Sequence, residues 1–211
     1  MLRDQVGPAL RLHGFKGSGT TWRLANPAGD VAIVNVQSSR YSSREEVTCV
    51  INLAVVPEPW WAIKTVENST GRSSMPKDYD GLFHDRLHPQ HEPGTGEAWW
   101  HITAAATARA VAADMVQQLE SEGVPVLTRM LDRAHLIAAI REGDLGFLKG
   151  ELNRAFFDHA LAVMLSDDGP SAELDNLLQK IETTAAGTQR ETSTRRTVDW
   201  IHQRAATRTS T

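Results

Sequence analysis

Residues 47–56 read VTCVINLAVV and have the clearest strand pattern in the chain. Its odd-numbered positions form one apolar face with the period of two that a β-strand requires: Val47, Cys49, Ile51, Leu53 and Val55. We expect Pro57 and Pro59 to end the strand, because proline has no amide hydrogen to donate to a neighbouring strand. Residues 47–56 are therefore predicted to form a central β-strand.

The segments around this strand predict a small antiparallel sheet. Residues 20–24 alternate like a strand, and residues 31–36 are rich in β-branched side chains. NPAGD at 26–30 has the residues of a chain reversal, so the two segments predict a hairpin. Short connections between successive strands favour antiparallel pairing, since parallel neighbours need long crossovers. Residues 98–102 are predicted to return as a fourth strand.

Helices are predicted for most of the remaining chain, at residues 104–122, 126–131, 134–141, 145–165 and 172–186. Within the fourth, an apolar stripe recurs at helical spacing: Leu152, Phe156, His159, Ala160 and Val163. DDGPS at 167–171 predicts a turn followed by a helix cap, and hence an antiparallel helical hairpin. Residues 58–96 look irregular, which indicates either a binding loop or hidden short elements.

The expected fold class is α+β: a small antiparallel sheet of about four strands packed with helices, followed by a helical C-terminal extension. We expect a domain at residues 1–142, a helical hairpin packed on it at 143–187, and a partly flexible Thr- and Arg-rich tail at 188–211. A short helix at 198–205 is predicted to dock the tail through Trp200 and Ile201.

Composition limits the partners and the compartment. A net charge of −4 gives no basic field that would gather nucleic acid or an anionic membrane. No apolar run approaches the roughly 20 residues of a membrane-spanning helix, and no signal peptide is recognisable at the N-terminus. The single cysteine, Cys49, excludes an internal disulfide. We therefore expect a cytoplasmic protein without a membrane span.

Several short motifs resemble, in order and spacing, a bacterial family of unknown function, the DUF4304 proteins. The matching segments are GFK at 14–16, VNVQSS at 34–39, INLAV at 51–55, Arg86-Leu87 and Trp99-Trp100. The resemblance covers roughly residues 5–131, and it departs at Ala54, where glycine is expected. Because the family has no assigned activity, the resemblance implies no catalytic residue.

Polar residues that interrupt the apolar strands are candidates for a ligand or partner surface. Asn35, Gln37 and Asn52 project amides from the sheet, and Arg40 and Arg86 are expected nearby. Simple alternation in a half-exposed strand also explains these amides.

The tryptophan pairs are a second candidate surface. Tryptophan buries a large area and keeps one hydrogen-bond donor, which suits an interface anchor. The residues are Trp60, Trp61, Trp99 and Trp100. In a strand, adjacent side chains face opposite ways, so one of Trp99 and Trp100 is expected to enter the core. Packing beneath the long 58–96 segment is the alternative role for the exposed partner.

Histidines offer an alternative metal site. His84, His88 and His91 are the proposed ligands, because imidazole commonly binds divalent metals and His84 and His88 would share one helical face. Pro89 argues against a helix there, so solvated loop histidines are the simpler interpretation. No cofactor is expected.

Three functions fit these residues. We expect a non-catalytic module that recognises another protein, for which a bacterial immunity or conflict system is one setting. The alternatives are a small-ligand-binding or metal-assisted enzyme that uses the histidine-rich loop at 84–101, and nucleic-acid association through the arginines of the tail. The identity of the partner and the oligomeric state stay open.

Overall fold

The computed structural model describes residues 1–43, 45–67, 75–89 and 98–208. The chain forms two compact units: unit 1 is Met1–Val56 with Lys77–Arg133, and unit 2 is Pro57–Pro76 with Ala134–Thr211. These bounds differ from the predicted division, because residues 57–76 and the tail both belong to unit 2. The α+β class is confirmed, with the strands of the large sheet in unit 1.

The large sheet has six antiparallel strands rather than about four. They are β1 Lys16–Ser18, β2 Thr21–Ala25, β3 Val31–Ser38, β4 Val47–Val56, β5 Phe83–Leu87 and β6 Trp100–Ile102. Their order is β1-β2-β3-β4-β5, and β6 also pairs with β4. The predicted hairpin is confirmed as β2 and β3, which meet through Ala25 opposite Val31.

Strand β4 is paired along both of its sides. On one side β3 pairs with it from Val31 opposite Val56 to Ser38 opposite Cys49. On the other side β5 pairs with residues 51–55 and β6 with residues 47–49. The sequence of β5, FHDRL, is polar and lacks β-branched residues. The extended conformation of β5 therefore comes from its pairing with β4, and the composition of the segment did not predict a strand.

The helices of the described chain follow in order. They are α1 Gly7–Leu12, α2 Glu58–Glu67, α3 Ala105–Gln118, α4 Val124–Leu131, α5 Arg133–Glu142, α6 Arg154–Leu165, α7 Ala172–Ala185 and α8 Glu191–Arg208. None of the helices seen in the described ranges is long and apolar enough to cross a lipid bilayer.

Both faces of β4 are buried: Val50 and Ala54 lie on the even-numbered face, and the large side chains of Ile51 and Leu53 lie on the odd-numbered face. Trp22 and Leu53 are almost fully buried there, and the Trp100 indole donates to Asp114 Oδ2 on α3 at 2.6 Å. A π-helical turn, Leu119–Gly123, joins α3 to α4. The predicted helix over residues 104–122 does not stop before Gly123, because the backbone of Gly123 is itself helical, with φ of −63° and ψ of −52°. A Cβ there would lie 2.8 Å from Leu87 Cδ1, so the missing side chain lets the turn approach β5.

Helix α2 occupies a segment that looked irregular in the sequence. Pro59 is the second residue of α2. Proline is tolerated in the first turn, where the amide hydrogens have no partner within the helix. Pro57 thus follows the last residue of β4, and Pro59 lies in the first turn of α2.

The predicted helix over residues 145–165 is too long at its start. Residues Asp144–Leu145 and Leu148–Lys149 pair as a small hairpin, β7 and β8. The backbones of Gly146 and Gly150 have φ of +82°, a value that ordinary L-residues rarely adopt. Leu152 is fully exposed in the turn before α6, so its place in the apolar stripe was wrong.

A buried ion pair fastens the turn between β2 and β3. Asp30 is 1% exposed, and Arg133 donates to it through Nη2 at 2.8 Å and Nε at 3.0 Å. Asn26 completes the site, because its Nδ2 donates to Asp30 Oδ2 at 3.0 Å and its Oδ1 accepts from the Asp30 amide at 2.9 Å. The Asp30 carboxylate thereby accepts hydrogen bonds from the side chains of both Arg133 and Asn26.

We predict that Arg133→Ala lowers the free energy of unfolding by about 3 kcal/mol, because removing one partner leaves a buried charge uncompensated. Arg129→Ala is the matched control: Arg129 is an exposed arginine near the end of α4, and its loss should cost less than about 0.5 kcal/mol. Urea unfolding followed by circular dichroism measures both. Equal effects of the two substitutions would contradict the role given to the ion pair.

Cys49 lies on the buried face of β4, as expected from its position in the strand. It is 1% exposed, and burial raises the pKa of its thiol to about 11. The thiolate is the reactive form, so a raised pKa makes the group inert near neutral pH.

We predict that iodoacetamide labels Cys49 at pH 8 more slowly in the folded chain than in urea, by about 50-fold or more, because the thiol of the unfolded chain has a pKa of about 8.5. The folded rate should keep rising about tenfold per pH unit up to pH 9.5, whereas the unfolded rate levels off. Intact-protein mass spectrometry measures both rates. A folded rate that reaches a plateau near pH 9 would disprove the raised pKa.

Candidate functional site

Three of the predicted surface residues lie side by side across the sheet. Asn35 on β3 is directly opposite Asn52 on β4, and Asn52 is directly opposite Arg86 on β5. Residues in direct register point to the same face, and this is the face of β4 opposite Cys49 and Leu53. Gln37 shares the face because it lies two residues beyond Asn35.

Asn52 is the centre of the hydrogen bonds on this face. It is 7% exposed, and its Nδ2 donates to Gln37 Oε1 at 2.8 Å and to Asp78 Oδ2 at 3.3 Å. Its Oδ1 accepts from Arg86 Nε at 2.8 Å. We call Gln37, Asn52, Asp78 and Arg86 the amide–arginine cluster. The buried amide has partners for both its nitrogen and its oxygen, as a buried polar side chain requires.

Arg86 is held between the cluster and an aromatic ring. Its guanidinium carbon lies 5.9 Å from the centre of the Trp99 ring, which is within the range of a cation–π contact. Burial lowers the pKa of Arg86, and the carboxylate of Asp78 opposes this shift. The arginine therefore keeps a fixed orientation in a partly desolvated place.

The segment before β5 contributes to the same face. Asp78 begins a 3₁₀ turn, Asp78–Asp80, and the backbone amide of Lys77 donates to Asp80 Oδ2 at 2.9 Å. His84 Nε2 donates to the Asp78 carbonyl. Tyr79 is 65% exposed, and the Lys77 ammonium lies 5.5 Å from the centre of its ring. Lys77, Asp78 and Tyr79 were not predicted from the sequence, because this irregular segment has no periodicity. The available signal was PKDYDG at 76–81, whose proline, aspartates and glycine favour a turn.

Arg40 lies in the connection between β3 and β4 and engages its own neighbour. Its Nη2 donates to the Tyr41 hydroxyl at 2.6 Å, and its guanidinium lies 4.8 Å from the centre of that ring. Tyr41 is 78% exposed. The structure thus gives Arg40 an aromatic partner instead of a hydrogen bond to the predicted amides.

The four tryptophans do not form one surface. Trp100 is buried in unit 1 and Trp60 is buried in unit 2, so neither side chain is accessible to a partner. Trp60 instead makes edge-to-face contacts with Phe156 and His159, at 5.6 and 5.8 Å between ring centres. Trp61 and Trp99 are partly exposed. The expectation that one of Trp99 and Trp100 enters the core is confirmed.

The histidines are not arranged on a helix. His84 lies in strand β5, so the helical spacing that would bring it next to His88 is absent. His88 Nδ1 donates to the Ala98 carbonyl at 2.8 Å. His91 lies outside the described residues. Within the described ranges, no three His, Cys, Asp or Glu side chains are grouped as a metal site.

The tail arginines are largely engaged within unit 2. Arg204 Nε donates to Asp167 Oδ1 at 2.7 Å and its Nη2 donates to Glu58, while Arg208 Nη2 donates to Asp167 Oδ1 at 3.0 Å. Arg195 donates to Glu191 at 3.3 Å. The helix α8 covers most of the predicted flexible tail, and its arginines offer less free charge to a phosphate backbone than the sequence indicated.

A family model described as a domain of unknown function, DUF4304, matches residues 6–129. The chain belongs to the DUF4304 family. The resemblance inferred from the sequence motifs is thereby confirmed, and the match covers more than half of the chain. No curated protein and no solved structure matches the chain significantly. The amide–arginine cluster lies wholly inside the DUF4304 region, whereas α6, α7 and α8 lie beyond it.

We predict that Asn52→Ala lowers the free energy of unfolding by about 2 kcal/mol, because a hydrogen bond to a charged group is lost and Gln37 and Asp78 lose a donor. Asn35→Ala is the matched control. Asn35 is directly opposite in the sheet and donates at 2.9 Å to the neutral Thr21 hydroxyl, so its loss should cost about 0.5 to 1 kcal/mol. Urea unfolding compares the variants, and equal costs would mean that the cluster contributes nothing special.

Proposed function

We propose that unit 1 is a non-catalytic module that recognises another protein, and that its recognition surface is the sheet face with the amide–arginine cluster, Trp99 and Tyr79. The observation that carries the proposal is the position of Arg86, whose Nε donates to Asn52 Oδ1 at 2.8 Å and whose guanidinium carbon lies 5.9 Å from the centre of the Trp99 ring.

Preorganisation supports this function. Binding normally costs the conformational entropy of long side chains that become fixed at the interface. Asn52 is already immobilised by burial, and it fixes the orientations of Gln37 and Arg86 through hydrogen bonds. A partner that binds this face would therefore contact polar side chains that lost their conformational entropy when the chain folded, not when the complex forms.

The side chains around the cluster have the composition of an interface. Tyrosine, tryptophan and arginine are enriched in the binding hot spots of protein complexes. The outer residues of this face are the exposed Gln37 and Tyr79 and the partly exposed Trp99. Arg40 and Tyr41 follow the end of β3, and the Arg40 guanidinium lies 4.8 Å from the centre of the Tyr41 ring. Scattered exposed aromatics are common, but here each one lies against a cation.

The chemistry of these pairs favours an acidic partner segment. Arg40, Lys77 and Arg86 each carry a positive charge beside a ring, at 4.8, 5.5 and 5.9 Å from the ring centres. Arginine binds carboxylates strongly through paired hydrogen bonds, and a neighbouring ring contributes apolar contact. We propose a partner that presents carboxylates next to apolar side chains, in a bacterial cytoplasm, which is a setting in keeping with the single buried Cys49.

A photocrosslinking experiment tests the location of the surface. Benzoylphenylalanine replaces Gln37 in one variant and Arg109 in another, and both are irradiated in native cells. Arg109 is exposed on α3, which packs on the opposite face of the sheet. We predict that one partner is crosslinked at position 37 and not at position 109. Identical products at both positions, or none at position 37, would refute the proposed surface.

The captured partner then allows a second prediction, on affinity. We expect Trp99→Ala to weaken binding about 30-fold and Arg40→Glu about tenfold, in line with the loss of an aromatic anchor and of a charge pair. Arg109→Glu, which makes the same change of charge on the far face, should alter the dissociation constant less than about twofold. Isothermal titration calorimetry measures all three variants. A larger effect of Arg109→Glu than of Arg40→Glu would contradict the role of the charged rim.

A further inference from the structure

Unit 2 contains a cavity of about 890 Å³ between α6, α7 and α8. This volume is in the range of pockets that bind small molecules. The cavity lies outside the DUF4304 region and is independent of the recognition surface on unit 1. Its floor includes the buried Asp158, Ala185 and Thr197, and its rim includes exposed residues of all three helices.

The cavity has an apolar wall. It consists of Ala155 and Phe156 of α6 and of Ile181 and Ala185 of α7. The Phe156 ring also makes an edge-to-face contact with Trp60, with 5.6 Å between the ring centres and 71° between the ring planes. A ligand with a flat apolar body would bury its surface against this wall, with the ring of Phe156 as the stacking partner.

The charged groups of the cavity are predominantly cationic. Arg154, Lys180 and Arg190 line it, against the single carboxylate of Asp158. Lys180 Nζ lies 2.5 Å from Asp158 Oδ2, and Arg154 Nε lies 3.4 Å from Asp158 Oδ1. Asp158 is thus neutralised by its neighbours, and the lining keeps an excess of positive charge in a chain whose net charge is −4.

Three of the hydroxyl groups in the lining donate to the backbone. Thr184 donates to the Lys180 carbonyl at 2.8 Å, Thr188 to the Ala185 carbonyl at 2.6 Å, and Ser193 to the Arg190 carbonyl at 2.9 Å. These three hydrogens are directed away from a ligand, whereas the cationic side chains are charged donors. An acceptor-rich anionic group suits such donors, because charge-assisted hydrogen bonds are the strong ones.

We infer that this cavity is a binding site for a small organic anion with an aromatic or otherwise flat apolar body, such as an aryl carboxylate or sulfonate. The anionic group lies against Arg190 and Lys180 at the rim, and the apolar body lies against Phe156 and Ile181. A cationic ligand is disfavoured, because it would have to compete with Lys180 for the carboxylate of Asp158.

The test uses 8-anilinonaphthalene-1-sulfonate as the anionic probe and N-phenyl-1-naphthylamine as a neutral probe of similar shape, with the full chain. We expect saturable 1:1 fluorescence enhancement by the sulfonate. Arg190→Gln should weaken its binding at least about fivefold, as expected for one charge-assisted contact, and should change the affinity of the neutral probe less than about twofold. Arg196→Gln, an exposed arginine of α8 that does not line the cavity, is the matched control.

Thr184→Trp tests whether the two probes bind inside the cavity. Thr184 is exposed at the rim, so an indole there fills the space without entering the helical core, and both probes should lose binding. Far-ultraviolet circular dichroism and thermal unfolding confirm that each variant is folded. The inference is overturned if the sulfonate binds Arg190→Gln as tightly as the unaltered chain, if Arg196→Gln has the same effect, or if Thr184→Trp leaves saturable binding intact.

Discussion

The structure of unit 1 depends on the pairing of strand β4 along both of its sides. Residues 49–56 of β4 pair with β3 on one side, and residues 51–55 and 47–49 pair with β5 and β6 on the other. A strand paired in this way is not an edge strand, and its neighbours are placed in register by it. Because the register is fixed, one face of the strand carries Leu53 into the core and the other carries Asn52 to its partners.

Placing a polar residue at the centre of this strand has an energetic cost that only its partners offset. A buried amide without hydrogen bonds would cost a few kcal/mol, and Asn52 meets this cost through Gln37, Asp78 and Arg86. These partners come from β3, β5 and the turn before β5. Local hydrogen bonding thus joins three separate parts of the sequence, and it orients Arg86 toward the Trp99 ring in the same step.

Much of the fold was predictable because the signals are local. Alternation in β4 and the NPAGD reversal before β3 are visible in short windows of sequence, and both predictions agree with the structure. Strand β5 was not found, because FHDRL acquires its conformation from pairing with β4 rather than from its own composition. The helix over residues 145–165 was extended too far, because apolar spacing outweighed the glycines at positions 146 and 150.

The candidate site was predictable in part. Period-two spacing placed Asn35, Gln37 and Asn52 on one face, and the sheet register adds Arg86 directly opposite Asn52. Asp78 could not be found, since its approach to Asn52 is a tertiary contact across an irregular segment. The four tryptophans were grouped by residue type, but burial separates them: Trp60 and Trp100 stabilise the interiors of different units.

The division of the chain into two units affects how it folds during synthesis on the ribosome. Unit 2 consists of Pro57–Pro76, which interrupts the sequence of unit 1, and of Ala134–Thr211. Helix α2 therefore leaves the exit tunnel long before α6 and α8, which supply the ring contacts of Trp60 and the arginine that bonds Glu58. Until α6 has also emerged, the nascent chain carries an apolar helix that has not met its packing partner, which is the kind of exposed surface that holding chaperones bind.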